Sequence, residues 1–254
     1  MVLHLARASP WKHLLQLMVN LRYRSNEKEL LDAEDISFAD IQICMRELNR
    51  VNTLLGGHAV TLSGIKNFRP ESNELHICEI GCGGGDNLNA ISKHLKAPNI
   101  NLSFIGIDIK KECVDFAARQ YPEIYAQWVA KDYSKVDFGS NKPDVIFSSL
   151  FCHHFTDNEL VGMIQWMRLN SKMGFFINDL QRHPVAYYLI KNLTKVFSKS
   201  YLVKNDAAIS VSRGFTKKEW EDIFLKAGIK NYTIKWKWAF RYLIICKNDS
   251  RETI

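Results

Sequence analysis

The segment LHICEIGCGGGDN, residues 75–87, joins an apolar run to an acid, Glu79, and to glycines at 81, 83, 84 and 85, ahead of a helix expected to begin near Asp86. Residues without a Cβ let a chain turn sharply out of a strand and bring its backbone close to a ligand. Strand, glycine turn and helix in this order also describe dinucleotide sites, whose third glycine would fall at position 86. That position is Asp86, and a carboxylate at a helix start is a poor neighbour for a pyrophosphate. The run reads ExGxGxG instead. A second carboxylate, Asp108, ends the next apolar run, FIGIDI. There it can accept from both vicinal hydroxyls of a ribose, with a rigid strand fixing the geometry. A third, Asp132 in AKDY, follows the next strand candidate. It is placed either to accept from an adenine amine while Tyr133 packs on the ring, or to cap its own loop. The three together imply nucleoside binding without a nicotinamide dinucleotide.

Three histidines follow strand candidates: His153 and His154 after the fourth, His183 after the fifth. Open parallel sheets bind ligands beyond the carboxyl ends of their strands, which favours these three over His4 and His58. Imidazole titrates near neutrality and suits removal of a proton from a phenol, whose pKa is about 10. The plainer role for each is a bond to a backbone carbonyl or packing against an aromatic such as Phe155. Arg182 could receive a carboxylate or phenolate, or stand as a surface charge beside Pro184. The cysteines at 44, 78, 82, 113, 152 and 246 contain no CxxC pair, so neither a zinc nor a thioredoxin-type centre is signalled and no metal is expected. Free thiols in a reducing cytoplasm are the expectation.

The elements that must position these residues alternate. Strand candidates are Leu75 to Ile80, Leu102 to Ile107, Ala126 to Val129, Val145 to Leu150, Gly174 to Asn178, Tyr232 to Trp236 and Trp238 to Cys246, with helices between them. That pattern predicts an α/β fold with a mostly parallel sheet covered on both faces and an antiparallel closing hairpin hinged near Lys237. Thr156 with Glu159, and Thr216 with Glu219, have capping-box spacing and each opens a helix. In the second, Trp220, Ile223, Phe224 and Ala227 make an apolar stripe that Gly228 ends. Ser37 with Asp40 opens a helix carrying Phe38, Ile41, Met45, Leu48 and Leu55 until Gly56 and Gly57 stop it. Residues 1–74 therefore read as a helical cap, covering either a sheet edge or a site at the strand ends, ahead of residues 75–254. A helix from Pro184 to about Phe197, with Tyr187, Tyr188, Leu189, Leu193 and Val196, begins an insertion near 184–212; a stripe at this spacing is a core face more often than the lining of a ligand pocket.

The 254 residues are 46% hydrophobic and 24% charged, the balance of an ordinary globular protein and not of a disordered or fibrous one. No apolar run approaches the ~20 residues of a membrane-spanning helix. The net charge of +7 invites a polyanion partner, but the basic residues gather only softly, at Arg7–Arg24, Lys191–Lys204 and Lys217–Arg241. The first group surrounds HLLQLMVNL, read as an amphipathic first helix that packs on the fold, with peripheral contact to a membrane surface as the lesser alternative.

EIGCGGGDN, GIDI, AKDY and PDVIFSSLFCHHF stand in the order and spacing of one family: residues 75–247 resemble class I S-adenosylmethionine (SAM)-dependent methyltransferases. The resemblance implies a Rossmann-like, seven-stranded, mostly parallel sheet with an antiparallel last strand. It also implies SAM as cofactor and S-adenosylhomocysteine (SAH) as product. Glu79 would order the loop, and Gly81, Cys82, Gly83, Gly85 and Asn87 would border the methionine portion. Asp108 with Ile109 would take the ribose, Lys131, Asp132 and Tyr133 the adenine, and Ser148 the region beneath the sulfonium. RYRSNEKELLDAED, ELNRVNTLLGG and NDLQRHPVAYYL look like the small-molecule branch, similar to quinone-biosynthesis-like and type III polyketide synthase-associated methyltransferases. That implies a small methyl acceptor, aromatic or lipid-like, with phenol, quinol or polyketide O-methylation favoured, the insertion near 184–212 as its cover, and His154, His183 or His153 as the base. No specific nucleic-acid partner is expected, and the protein would be a cytoplasmic monomer or homodimer. The competing functions are an RNA-modifying methyltransferase on the same fold and a non-catalytic SAM-binding or structural protein. SSLF where adenine-amino enzymes resemble [DN]PP[FYW], and Phe151-Cys152 where cytosine C5 enzymes have Pro-Cys, speak against two nucleic-acid versions.

Overall fold

The computed structural model describes residues 19–33, 35–95 and 99–248. The first-helix reading over HLLQLMVNL falls mostly outside them. Seven strands, β1 (Glu74–Ile80), β2 (Asn101–Asp108), β3 (Ala126–Ala130), β4 (Val145–Ser149), β5 (Gly174–Leu180), β6 (Tyr232–Lys237) and β7 (Arg241–Lys247), form one sheet in the order 3-2-1-4-5-7-6. β7 alone runs against the rest, paired antiparallel with β5 and β6. The expected architecture is therefore present.

Parallel neighbours need crossovers, and helices supply them. They are α1 (Phe38–Leu54), α2 (Gly57–Ile65), α3 (Asp86–His94), α4 (Lys111–Gln120), α5 (Asp157–Asn170), α6 (Pro184–Phe197), α7 (Tyr201–Arg213) and α8 (Lys217–Lys226). Side chains alternate along each strand. Cys78, Ile80, Ile146, Phe175 and Ile177 face Leu160, Met163, Ile164 and Met167 of α5 and Trp220 and Phe224 of α8. The alternate set, Ile77, Val145, Phe147 and Phe176, faces Val60 and Ile65 of α2 and Leu88 and Ile91 of α3, with Phe147 and Phe176 stacked at 4.8 Å. A third cluster packs Ile41, Cys44 and Met45 of α1 against Cys113 and Phe116 of α4 and Leu202 and Val203 of α7. The preamble helix thus sits on the helices beside the glycine loop.

Both capping boxes form with both of their bonds, and Ser37 caps α1. The expected β4 shortens by one residue because Leu150, at φ +53°, turns out of the sheet. The expected last strand begins at Arg241, since Ala239 and Phe240 take positive φ in the β6–β7 turn. Gly56, at φ +72°, ends α1 as expected, and a second short helix, α2, opens directly behind it. Among the described residues no helix is long and apolar enough to cross a membrane.

Candidate functional site

Strand order reverses between β1 and β4, and in such sheets the crevice opens outside their carboxyl ends. A cavity of about 440 Å³ lies there. Gly81 leaves β1 at φ +66°, and a Cβ on it would lie 2.3 Å from the Phe151 ring, so the turn closes only on glycine. The Gly83 N–H then donates to one oxygen of Asp108 at 2.9 Å, while the Lys110 N–H donates to the other at 2.9 Å. A carboxylate has about four acceptor sites, so each oxygen keeps one. Burial raises the Asp108 carboxyl above its ordinary value, against the lowering effect of those two bonds.

Gly81, Cys82, Gly83, Asn87, Asp108, Ile109, Lys131, Asp132 and Tyr133 all line the cavity. Asp132 also accepts from the Ser134 N–H at 3.0 Å, so it caps its loop at the cavity rim. Tyr133 meets Phe151, Phe155 and Trp166 edge-on. Burial pushes its phenol up to about 12. Glu79 and Gly85 lie behind the wall. Glu79 is fully buried and accepts from the Asn87 side-chain amide at 2.9 Å, tying β1 to α3. Burial, then the charge of Asp86, raises its carboxyl well above the usual range. Ser148 does not reach the cavity. It shares the strand face of Ile146 and meets the Cys152 Sγ at 3.4 Å, so parity turns it toward α5 while Ser149 and Leu150 line the cavity.

The histidines separate. His183 is outside the cavity: it caps α6, accepting from the Val185 N–H at 3.2 Å, and stacks on Phe240 at 4.7 Å. Arg182 is buried and donates to the carbonyls of Leu21 and Gly214 and to Glu219 at 2.6 Å, so it is neither a ligand contact nor a surface charge. His153 and His154 both line the cavity. His153 Nδ1 lies 2.8 Å from Asp179 and its Nε2 3.4 Å from Glu29. Burial opposes its charge, but Asp179 and Glu29 outweigh that and raise it to about 9. His154 is 20% exposed at its side chain, with Nδ1 3.2 Å from Asp32 and Nε2 3.8 Å from Glu29.

Glu29 and Asp32 were not singled out from the sequence. Glu29 precedes and Asp32 ends the 3-10 turn Leu30–Asp32, whose Leu30 and Leu31 N–H groups donate to Asp206 of α7 at 2.8 and 2.9 Å. Ser210 of α7 donates to Glu29 at 2.7 Å. Burial resists ionisation of Glu29, yet His153 and His154 hold its carboxyl below the ordinary value. The usable signal was the acid-rich run NEKELLDAED directly after an acid-free basic stretch. Also missed were Met45, Leu48 and Asn52 of α1, which line the cavity beside Gly83 and Gly84, and Asp86, bonded at 2.7 Å to His58.

Residues 77–174 match a family model described as a methyltransferase domain. No curated protein matches the chain. In fold it is similar to human N-acetylserotonin methyltransferase in complex with SAM, at 18% identity and a TM-score of 0.61, covering 94% of this chain and 66% of that one. The plantazolicin methyltransferase BpumL in complex with SAH gives 19% identity and a TM-score of 0.60, covering 82% and 89%. A SAM-dependent methyltransferase from Aquifex aeolicus gives 14% and 0.56, covering 84% and 99%. The matched span runs from β1 into the start of β5 and includes the glycine turn, Asp108 and the two cavity histidines, and the solved structures share the fold built around it.

Proposed function

We propose that the protein moves the methyl group of SAM to an oxygen of a small aromatic or lipid-like acceptor, with phenols, quinols and polyketides as the favoured class. The observation that carries this reading is one cavity shared by Asp108, the glycine-loop backbone and the Glu29–His153–His154 cluster, with apolar walls from Leu31, Leu48, Phe151, Phe155 and Leu180. Its size falls in the range of about 300–1,000 Å³ usual for small-molecule sites.

The residues fit the cofactor. Asp108 keeps one acceptor site on each oxygen for a pair of vicinal hydroxyls, and Gly83 presents its backbone with nothing nearer a hypothetical Cβ than the Met45 sulfur at 3.6 Å. SAM supplies an electrophilic methyl, so the protein's task is to align an acceptor oxygen with the carbon–sulfur bond and receive its proton. With SAM bound as methyl donor, the Glu29–His153–His154 cluster would receive the proton that the acceptor oxygen loses, and a methyl ether and SAH would be the products. His153 is closed off, with its side chain 3% exposed against 20% for His154, so His154 and Glu29 are the groups that meet the hydroxyl. Helix α1, with Met45, Leu48 and Asn52 on the cavity, acts as the cap of a cytoplasmic enzyme and α7 joins it through Ser210, whereas no residue of α6, expected to cover the substrate, lines the cavity.

Calorimetric titration with SAM and SAH, with NAD as control and at two salt concentrations, should give micromolar binding of the first two alone. Methyl transfer to alkylated phenols and quinols then tests the acceptor class. A folded sample that binds neither SAM nor SAH refutes the reading. A steep salt dependence of acceptor binding would move it to RNA.

A further inference from the structure

His153 and His154 each turn Nδ1 toward a carboxylate, Asp179 at 2.8 Å and Asp32 at 3.2 Å, and each turns Nε2 toward the same third carboxylate, Glu29, at 3.4 and 3.8 Å. In metal-binding histidines the outer nitrogen is fixed by an acid so that the inner lone pair points at the ion; His153 Nδ1 is hydrogen-bonded to Asp179 in this way, while His154 Nδ1 faces Asp32 without a hydrogen bond. The inner distances matter most. A charge-assisted N–H···O bond spans about 2.7–2.9 Å, and both Nε2–Glu29 separations are longer. Two ligand atoms each about 2.0–2.1 Å from a tetrahedral ion stand about 3.4 Å apart; the His153 Nε2–Glu29 Oε1 pair has this spacing, and the His154 Nε2–Glu29 Oε2 pair, at 3.8 Å, is slightly wider. One ligand atom from each of Glu29, His153 and His154 can be chosen with all three within 4.8 Å of one another.

We propose that Glu29, His153 and His154 form a binding site for a divalent transition-metal cation, of which zinc is the representative, with its remaining position open to the cavity. Two imidazoles and one carboxylate favour a borderline ion such as Zn²⁺, Co²⁺ or Fe²⁺ over Mg²⁺, which prefers an all-oxygen shell. The charges agree. Three carboxylates, Glu29, Asp32 and Asp179, face the pair; Arg24 and Arg213 donate to backbone carbonyls of His153, Phe155 and His154, and Arg213 also lies 3.8 Å from Asp32, which offsets part of that negative charge. All three ligands line the cavity that also holds Asp108. What the cation would do there, bind an acceptor oxygen and make its hydroxyl more acidic, rests on the methyltransferase reading. The site itself does not.

The test is titration of chelator-stripped, folded protein with Co²⁺, read by visible absorption, and with Zn²⁺, read by calorimetry, both without SAM. One equivalent should bind with micromolar or tighter affinity and a spectrum free of sulfur charge-transfer bands. Glu29→Gln, which keeps an acceptor for Ser210, and His154→Ala should each weaken binding at least a hundredfold. Asp179→Asn should weaken it about tenfold through the orientation of His153. His94→Ala, on an exposed face of α3, should change nothing. Near-ultraviolet circular dichroism confirms that each variant is folded. Absence of saturable binding below millimolar metal, or binding that survives Glu29→Gln and His154→Ala unchanged, overturns the proposal. Because no SAM is present, failure here leaves the methyl-transfer reading standing, and failure of SAM binding leaves this one.

Discussion

Replacing Asp108 tests how the cavity holds a nucleoside. Its two oxygens already accept from the Gly83 and Lys110 amides at 2.9 Å each, which leaves one acceptor site apiece, the number a vicinal diol needs. Hydrogen bonds to a charged group contribute about 1.5–3 kcal/mol each. Asp108→Ala removes both ribose bonds, so SAH affinity should fall by about 3–6 kcal/mol, at least a hundredfold at 1.4 kcal/mol per decade. Asp108→Asn keeps one carbonyl oxygen but turns an amide N–H₂ toward one of the two backbone donors. It should lose roughly one ribose bond and gain a donor–donor conflict, for a loss of about 10- to 100-fold. Calorimetric titration with SAH measures both, and thermal unfolding without ligand separates loss of binding from loosening of the glycine turn. If both variants bind SAH within threefold of the parent while remaining folded, the ribose assignment is wrong.

His154→Ala should lower turnover tenfold or more with little change in SAM affinity, whereas His183→Ala should leave both within twofold and cost only about 1 kcal/mol as a lost helix cap; equal losses in turnover would undo the separation of the two histidines. Gly81→Ala should destabilise by several times the roughly 1 kcal/mol of strain expected for Gly139→Ala, because both have positive φ but only the first meets a ring, at 2.3 Å. Equal unfolding free energies in urea would show that the Phe151 contact is soft. Arg182→Met removes a buried guanidinium from Glu219 and three carbonyls and should cost about 3–5 kcal/mol, read as a fall in melting temperature on the order of 10 °C; an unchanged melting curve would contradict the strut. Burial resists ionisation of Glu219, but the bonds from Arg182 and Thr216 hold its carboxyl below the unfolded value. Its stabilisation is therefore present above the unfolded pKa and lost as pH falls through the folded one, so Glu219→Gln should flatten the acid limb of stability against pH in urea titrations at pH 3–7.

The cofactor half of the cavity was legible because its chemistry is local. Glu79, the glycine turn and Asp108 sit at strand ends that apolar runs announce, and two-residue parity carries each side chain to its face. The same parity, applied to β4, would have turned Ser148 away from the cavity and left Ser149 to line it; an error of one residue exchanges faces. His183 lies outside the cavity for a different reason. Its loop does leave the carboxyl end of β5, but Pro184 starts a helix at once, and a residue in the capping position bends back on its own amides and cannot reach forward.

The acceptor half was not legible, because its members meet only through tertiary polar contacts. Residues 21–33 hold little regular structure beyond the turn Leu30–Asp32, and no hydrophobic period marks where they lie. They are set instead by directional bonds. Arg182 takes the Leu21 carbonyl at 2.9 Å, Arg213 takes that of Glu27 at 2.9 Å, and Arg24 reaches the Phe155 carbonyl at 2.8 Å with its guanidinium 4.0 Å over the Phe215 ring. Asp206 then fixes the Leu30 and Leu31 amides, which leaves Glu29 aimed at both histidines. Three of the arginines behind the +7 charge are thus engaged within the fold, and they weaken the case for a polyanion partner that composition alone invites. Apolar packing tolerates small slips, whereas hydrogen bonds weaken steeply with misalignment. A segment held by hydrogen bonds can present a carboxylate to within a fraction of an ångström, and the geometry around Glu29 needs that accuracy whether a proton or a cation lies between it and the imidazoles.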